Sequence, residues 1–478
     1  MRREKKDSKF NKINIINILN LIFITILLIL LVKLNMIPKN YMMIITAVLT
    51  LYEVLCIFLT NLKNKPCKII GIVLSFLSIV GCTFCSYYLY NGDSFLDKAF
   101  DNTKKENYIT YYVVTYSGNT ASNRNDINDT VYYVNNDSNI NNAIDTLKKY
   151  TKSNITQTDN IVNLFNLIGS KQVSFALISN SSYEILFSNN SNLKKENYKV
   201  VYQFRIKIKN NVDSNKTSSK EKFNIYISGT DFANLSDFNM IATVNMNTHK
   251  ILLTSIPRDY YIPVSGTNGI RDNLSFIGVN DIDTRIKSIE NYFGINFDYY
   301  LKINTNSLVG IVDAVGGIEY CSDESFTTTH AVILNSYDDS KGKKLNIKKG
   351  CQHLNGIQTL TVARERNAFV GRDRQRQKNC QAIIVDIFEQ LKSANTLANY
   401  NNILNSLGDL YETSLSREII ENIMKDTING ANWTFENQSV DGNDGQDLVH
   451  LNSMKGWVMY PIDDTVANAK AKINEILK

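Results

Sequence analysis

Three long apolar stretches open the chain, Ile15–Val32, Tyr41–Leu59 and Ile69–Tyr90, and beyond them the apolar runs shorten and begin to alternate. Each stretch approaches the roughly 20 residues that a helix needs to cross a bilayer. A cleavable leader would need a small-residue cleavage site after the first stretch; none follows, and two more spans come at once. Six Lys/Arg precede the first span, two lie in the first loop and three in Asn61–Lys68. The positive-inside bias therefore predicts a cytoplasmic N-terminus, with everything after Tyr90 on the outer side. Glu53 falls inside the second span, where an acid is either protonated or bonded within the helix bundle, or marks a function.

After the spans, Tyr108–Thr115 and Thr130–Val134 read as strands, rich in Tyr, Val and Thr. Asn139–Tyr150 has helical spacing, with Ile140, Ala143 and Leu147 on one face. Ile161–Ile168 reads as helix, Val173–Ile178 and Tyr183–Leu186 as strands, and Lys199–Ile208 alternates strongly. Together these predict a small α/β domain over residues 97–209 that gathers no catalytic residue types, and so an accessory or binding module. Asn210–Lys222 is polar and without apolar periodicity, which marks a linker. From Phe223 to Lys478 strands and helices mix again. Phe223–Ser228, Met240–Val244, Lys250–Ile256, Tyr299–Ile303 and Ile318–Tyr320 read as strands, and Arg285–Phe293, Ser307–Ala314 and Ala382–Leu391 as helices. That order predicts the α/β class, with a mixed sheet sandwiched by helices.

The net charge of +6 would suggest an acidic partner, but its distribution removes that reading. Residues 1–96 hold eleven Lys/Arg against four Asp/Glu, leaving 41 basic and 42 acidic residues in the remainder of the 52 and 46. The outer part is near neutral, so nucleic acid is not expected as a partner. Seven cysteines and four histidines match no zinc spacing.

Three groups of residues could carry chemistry. Asp231 and Asp237 flank the loop between two buried strands, where two carboxylates could converge on a hard cation or simply cap the turn. Arg258-Asp259 follows Pro257 at the end of a buried strand, either at a ligand edge or as a surface ion pair. The densest group is Ala363–Gln381, ARERNAFVGRDRQRQKNCQ, with Arg364, Arg366, Arg372, Arg374 and Arg376. Planar guanidinium forks suit phosphate, whereas a solvated charge run is the alternative. No Ser-His-Asp or Cys-His arrangement is evident, and phosphoryl transfer can run on positioning and charge neutralisation alone.

The segments SGTDFANLSDFNMIATVN, KILLTSIPRDYYIPV, NYFGINFDYYLKIN, IVDAVGGIEY, GCQHLNGIQTLTVARER and GRDRQRQKNCQAII stand in an order that resembles the catalytic domain of the LytR-CpsA-Psr family. The three spans and the small α/β domain resemble the capsule-type members. The resemblance implies a membrane phosphotransferase that moves a teichoic-acid-like or capsular glycopolymer from a polyprenyl pyrophosphate carrier to peptidoglycan. It implies that Asp231 and Asp237 hold Mg²⁺ (or Mn²⁺), and that Arg258, Arg364, Arg366 and Arg376 hold the pyrophosphate. Asp259, Arg374 and Asn379 would assist in binding. The chain departs from the family pattern at Leu235, where an Arg is expected, and at Cys380, where a Gln is expected. Asn273 and Phe276 also replace the usual Lys and His. These departures keep open a second reading, a protein that binds the lipid-linked precursor without turning it over.

Cys321, Cys351 and Cys380 lie on the outer side, where disulfides persist. Cys321 ends a short strand and Cys351 follows the alternating segment Lys344–Gly350, so the two are expected to meet across antiparallel strands and form a disulfide. Cys380 is then the odd thiol.

Overall fold

The computed structural model describes residues 12–100, 108–135, 139–189, 193–207, 220–231, 234–267, 269–279, 281–329, 344–391, 411–449 and 454–478. Most of the expected linker at 210–222 lies outside the described residues. The chain forms two compact units.

The first unit contains α1 (Lys12–Leu34), α2 (Lys39–Asn61) and α3 (Lys65–Phe100), with the helix Arg417–Ile428. All three N-terminal helices are long and apolar enough to cross a membrane. Their outer surfaces expose Ile29, Val32, Leu51, Phe58 and Phe76, while polar side chains turn inward. Asn20 donates to the buried Glu53, and Asn17 donates to Thr60 at 2.8 Å. In hydrocarbon such pairs hold helices in register, because the alternative is an unsatisfied polar group. Arg417 meets Asp93 at 2.7 Å, Asp97 at 2.5 Å and Glu421 at 2.6 Å, fastening its helix to the end of α3.

The second unit begins with a small α/β module. It comprises β1 (Tyr108–Tyr116), β2 (Val131–Val134), α4 (Ile140–Leu147), β3 (Ile155–Thr158), α5 (Ile161–Gly169), β4 (Phe175–Ser179), α6 (Asn180–Asn189) and β5 (Tyr198–Lys207), with sheet order β3-β2-β4-β1-β5. Tyr183–Leu186, expected as a strand, lies in α6 instead. Tyr183, Leu186 and Phe187 recur at helical spacing and pack on Phe165 and Tyr198, so tertiary packing overrides the aromatic β-propensity. Strand β3 is mostly polar, and its backbone pairing with β2 was not visible in the apolar pattern.

The larger part of the unit is built on β6 (Lys222–Thr230), β7 (Ser236–Asn245), β8 (Lys250–Ile256), β9 (Tyr261–Pro263), β10 (Arg271–Asn273), α7 (Ile282–Phe293), β11 (Tyr299–Asn304) and α8 (Thr305–Ala314). Then come β12 (Ile318–Ser322), β13 (Phe326–Thr327), β14 (Asn346–Ile347), β15 (Gly350–Leu354), α9 (Gly356–Arg364), α10 (Asp373–Leu391) and β16 (Tyr411–Thr413). After α11 (the Arg417–Ile428 helix of the first unit) follow β17 (Thr434–Ser439), β18 (Gly442–Val449), β19 (Met454–Pro461) and α12 (Asp463–Ile476).

The central mixed sheet runs β16-β11-β6-β7-β8-β17, in which β6, β8, β11 and β17 point the same way. One face is a solid core, where Tyr226, Ile241, Leu252 and Tyr300 meet Ile286, Ile289 and Phe293 of α7 and Val466, Ala469 and Ile473 of α12. Helices α8, α9 and α10 cover the other face. Helix α10 starts at Asp373, well before the expected start at Ala382, so Arg374, Arg376 and Asn379 sit on a helix rather than in a loop.

Cys321 and Cys351 are directly paired in the β12–β15 ladder and joined by a disulfide. The partner strand is Gly350–Leu354; the segment before it supplies β14, which pairs with β13 instead. The bond closes a loop with a sequence separation of 30. Replacing both cysteines by serine should lower the unfolding free energy by about 3–4 kcal/mol in the chain-entropy account. Chemical denaturation of the two forms of the full chain checks this, with mass spectrometry of the unreduced protein showing the linked peptides.

Candidate active site

The residues with chemistry gather where β6, β8 and β11 end and β7 begins, the edge at which α/β sheets bind ligands. Strand β7 opens with Ser236-Asp237, and β8 runs out into Pro257-Arg258-Asp259. Pairing of the two strands brings Arg258 Nη1 onto Asp237 Oδ1. Arg364, the last residue of α9, places Nη2 4.0 Å from Asp237 Oδ2. Burial works against the charge on Asp237, but Arg258, Arg376, Arg364 and Arg366 hold its carboxyl below the usual range. Burial likewise opposes Arg258, yet Asp237, Asp259, Asp373 and Asp231 keep it firmly protonated. Four guanidinium groups and four carboxylates thus share one small region.

Their commitments differ. Arg376 is 6% exposed and ion-paired to Asp373 one turn earlier on α10, so it acts from behind the cluster. Arg366 is exposed and, among the described residues, has no ion pair. Partial desolvation and the neighbouring Arg258 and Arg376 lower its proton affinity, while Asp259 and Asp237 act against that shift. Asp259 is held by Asn273 Nδ2 at 2.9 Å and lies 3.5 Å from Arg258 Nε, so Asn273 orients the carboxylate that steadies Arg258. Asp231 accepts from the amide of Leu235 at 2.9 Å and closes the turn into β7. Asp231 and Asp237 offer hard carboxylate oxygens of the kind Mg²⁺ prefers.

Arg374 corrects the expectation: it lies outside the cluster. Its Nε donates to Asp441 at 2.7 Å and its Nη2 to the Gly442 carbonyl at 2.9 Å. Residues two apart on a helix face different ways, so Arg374 and Arg376 cannot both serve one site. The Asn379 Oδ1 accepts from Tyr320 at 3.0 Å and Gln375 at 3.1 Å, while its buried Nδ2 has no partner among the described residues. Leu235 does not stand in the arginine cluster; it packs with Ile185, Val279 and Phe276. Glu365, between the two arginines of ARER, carries a role that sequence reasoning missed. It is 2% exposed and accepts from Thr329 N at 2.6 Å, Thr329 Oγ1 at 2.9 Å and Ala368 N at 3.0 Å. An acid flanked by two outward-reaching arginines was the available signal.

Beside the charged group opens a cleft lined by Phe238, Ile303, Leu308, Leu360, Ile383 and Ile384, with Asp237 and Arg364 at its charged end. Cys380 forms part of its wall, and burial pushes the thiol up to about 12, so it stays neutral. Gln381 is turned away to the carbonyls of Leu253 and Gln438, at 3.3 and 2.7 Å. The arrangement is amphiphilic, with an anion-seeking head and an apolar trough for a tail.

The arginine-ringed strand edge thus opens on an apolar trough, and comparison with known proteins assigns the family. Residues 185–474 match the LytR_cpsA_psr family, and the chain belongs to it. Among curated relatives, the polyisoprenyl-teichoic acid–peptidoglycan teichoic acid transferase TagU of Enterococcus faecalis is 27% identical over 253 residues, covering 49% of this chain and 78% of the relative. TagU of Bacillus mycoides is 26% identical over 230 residues, covering 47% and 71%. The solved structure of B. subtilis TagV aligns at a TM-score of 0.45 with 21% identity, covering 54% of this chain and 98% of that one.

Glu365 yields a pH prediction. Burial opposes its charge, but the amides of Ala368 and Thr329 and the Thr329 hydroxyl hold its carboxyl below the usual glutamate range. A depressed folded-state value means that Glu365 stabilises the fold above the ordinary glutamate range. That contribution fades as pH falls through the depressed value. Glu365→Gln should cost about 1.5–3 kcal/mol near neutral pH, the worth of hydrogen bonds to a charged group. It should also flatten the acid limb of a Tm-against-pH profile.

Proposed function

We propose that the protein transfers a teichoic-acid-like or capsular glycopolymer from a polyprenyl pyrophosphate carrier to peptidoglycan on the outer face of the membrane. The observation that carries this reading is the convergence of Arg258 and Arg364 on Asp237, with Asp237 and Arg364 themselves lining an apolar cleft. Such a head and trough match a pyrophosphate joined to an isoprenoid, whose burial contributes about 0.8 kcal/mol per CH₂. The TagU relatives carry teichoic acid transferase names, which supports the same reaction here. Charge flanking the three spans supports a cytoplasmic N-terminus.

In the proposed reaction a peptidoglycan hydroxyl oxygen attacks the sugar-linked phosphorus, and its proton passes to the departing polyprenyl phosphate. The bond from that phosphorus to the bridging oxygen breaks, polyprenyl phosphate departs, and a phosphodiester remains. Arg366 and Arg364 bind the pyrophosphate oxygens, and Arg258, steadied by Asp237 and Asp259, offsets charge gathering on the leaving phosphate. Arg376 adds positive potential from behind. Four arginines and four aspartates balance, so a bound pyrophosphate brings surplus negative charge that a divalent cation would offset. Asp231 and Asp237 would hold Mg²⁺ or Mn²⁺, which supplies Lewis-acid stabilisation of the transferring phosphate when bound.

The precursor-binding alternative rested on Leu235 and Cys380. Leu235 faces an apolar contact and Cys380 lines the cleft, while Arg258 and Arg364 both approach Asp237, which supports turnover over binding alone. With the full chain in lipid discs, Arg364→Ala should slow release of polyprenyl phosphate by about 10²–10³-fold, the usual loss of a preorganised donor. Asp237→Asn should abolish its dependence on a divalent cation. Leu235→Arg should give no gain, because the new charge enters an apolar contact. If the unaltered chain binds the pyrophosphate lipid and never releases polyprenyl phosphate, the binding reading replaces this one.

A further inference from the structure

The loop that carries Asp231 is held from two sides by residues outside the charged cluster. On one side α6 of the small α/β module presses Ile185, 1% exposed, against Val279, Phe276 and Leu235. On the other, Arg285 of α7, also 1% exposed, reaches the same loop through Nη2 to the Asn234 carbonyl at 3.4 Å. Its Nη1 donates to Ser228 Oγ at 3.2 Å, and its Nε to the Ile277 carbonyl at 2.7 Å.

The turn between these contacts is continuous with both. Gly278 has φ +64, and a Cβ there would lie 2.5 Å from the Asp281 carbonyl and 2.8 Å from Arg285 Cβ, so the turn closes tightly on Arg285 only with glycine. Asn139 of the module donates to Asp281, the N-cap of α7, at 3.4 Å. The loop itself is short. Asp231 N donates to Leu235 O at 3.1 Å, and Asn234 N donates to Asp231 O at 3.1 Å. Any shift of Asn234 or Leu235 is therefore passed directly to Asp231.

We infer that Ile185 of the small module, acting with Arg285, is a positioning element for Asp231, so that the accessory module sets the geometry of the catalytic edge. This rests on the proposed role of Asp231 as a cation ligand. Leu235 is then the residue through which the module acts, and its apolar character follows from that contact. Ile185 and Arg285 are both buried and neither lines the apolar cleft.

The test uses the full chain in lipid discs and two independent readouts. Amide exchange at Asn234 and Leu235 reports the loop, and Mn²⁺ affinity reports Asp231. Ile185→Ser and Arg285→Gln should each speed exchange at these amides and weaken Mn²⁺ by about tenfold, the scale seen when a ligand's supporting partner is lost. Ile185→Val and Arg285→Lys should recover most of both. Phe204→Leu, in the module core away from the contact, should lower Tm and leave both readouts in place. The inference is overturned if loop exchange is unchanged, if the loop loosens at constant Mn²⁺ affinity, or if Phe204→Leu reproduces the effect. A loop that loosens in a chain whose unaltered form binds no Mn²⁺ supports the clamp and counts against the cation reading alone.

Discussion

The ion pair between Asp237 and Arg258 joins the first residues of β7 to the residue just past β8, and the site is arranged around it. A buried carboxylate or a buried guanidinium alone would be costly, and each makes the other tolerable. Asp237 also draws on Arg364, Arg366 and Arg376, and Arg258 on Asp231, Asp259 and Asp373. Charges brought in by β6, β7, β8, α9 and α10 therefore converge because the central pair gives them a common counter-charge. Arg366 is exposed beside this cluster and, among the described residues, makes no ion pair of its own.

The sheet divides labour between its faces. Toward α7 and α12 it is filled by interlocking Ile, Phe and Tyr side chains, so this face supplies rigidity. Toward α8, α9 and α10 the packing leaves a trough whose wall includes Phe238, the neighbour of Asp237, and Leu360, one turn before Arg364 on α9. Alternation along β7 and helical periodicity along α9 thus place an apolar wall and a charged head within a few residues of each other. An amphiphile lying across that boundary would meet both without any rearrangement of the sheet.

Local supports keep the arginines usable. Glu365 is pinned by amides and a hydroxyl, which fixes the backbone between Arg364 and Arg366. Asn273 fixes Asp259, and Asp259 steadies Arg258. Within the first unit, Arg417 gathers Asp93, Asp97 and Glu421, so α11 is tied to α3.

The spans, the strands of the central sheet, the paired Cys321 and Cys351 and the Asp/Arg set were legible in the chain itself. Each depends on local period, on charge beside an apolar run, or on residue types clustered in short segments. Tyr183–Leu186 was misread because aromatic residues favour strands until an aromatic cluster claims them for a helix. The direction of Arg374 was hidden because the start of α10 decides which face each residue takes. Arg285 was visible beside Ile286 on an amphipathic helix, yet only the closing of the Gly278 turn shows what its guanidinium holds. By itself the sequence determined the membrane anchor, the α/β class and the charged residues that share a strand edge, since those follow from periodicity and composition. Tertiary structure alone decided that Leu235 turns toward the small module, that Arg376 is committed to Asp373 and that Arg366 makes no ion pair among the described residues. Those outcomes are set by which surfaces meet in space, and linear spacing does not contain that information.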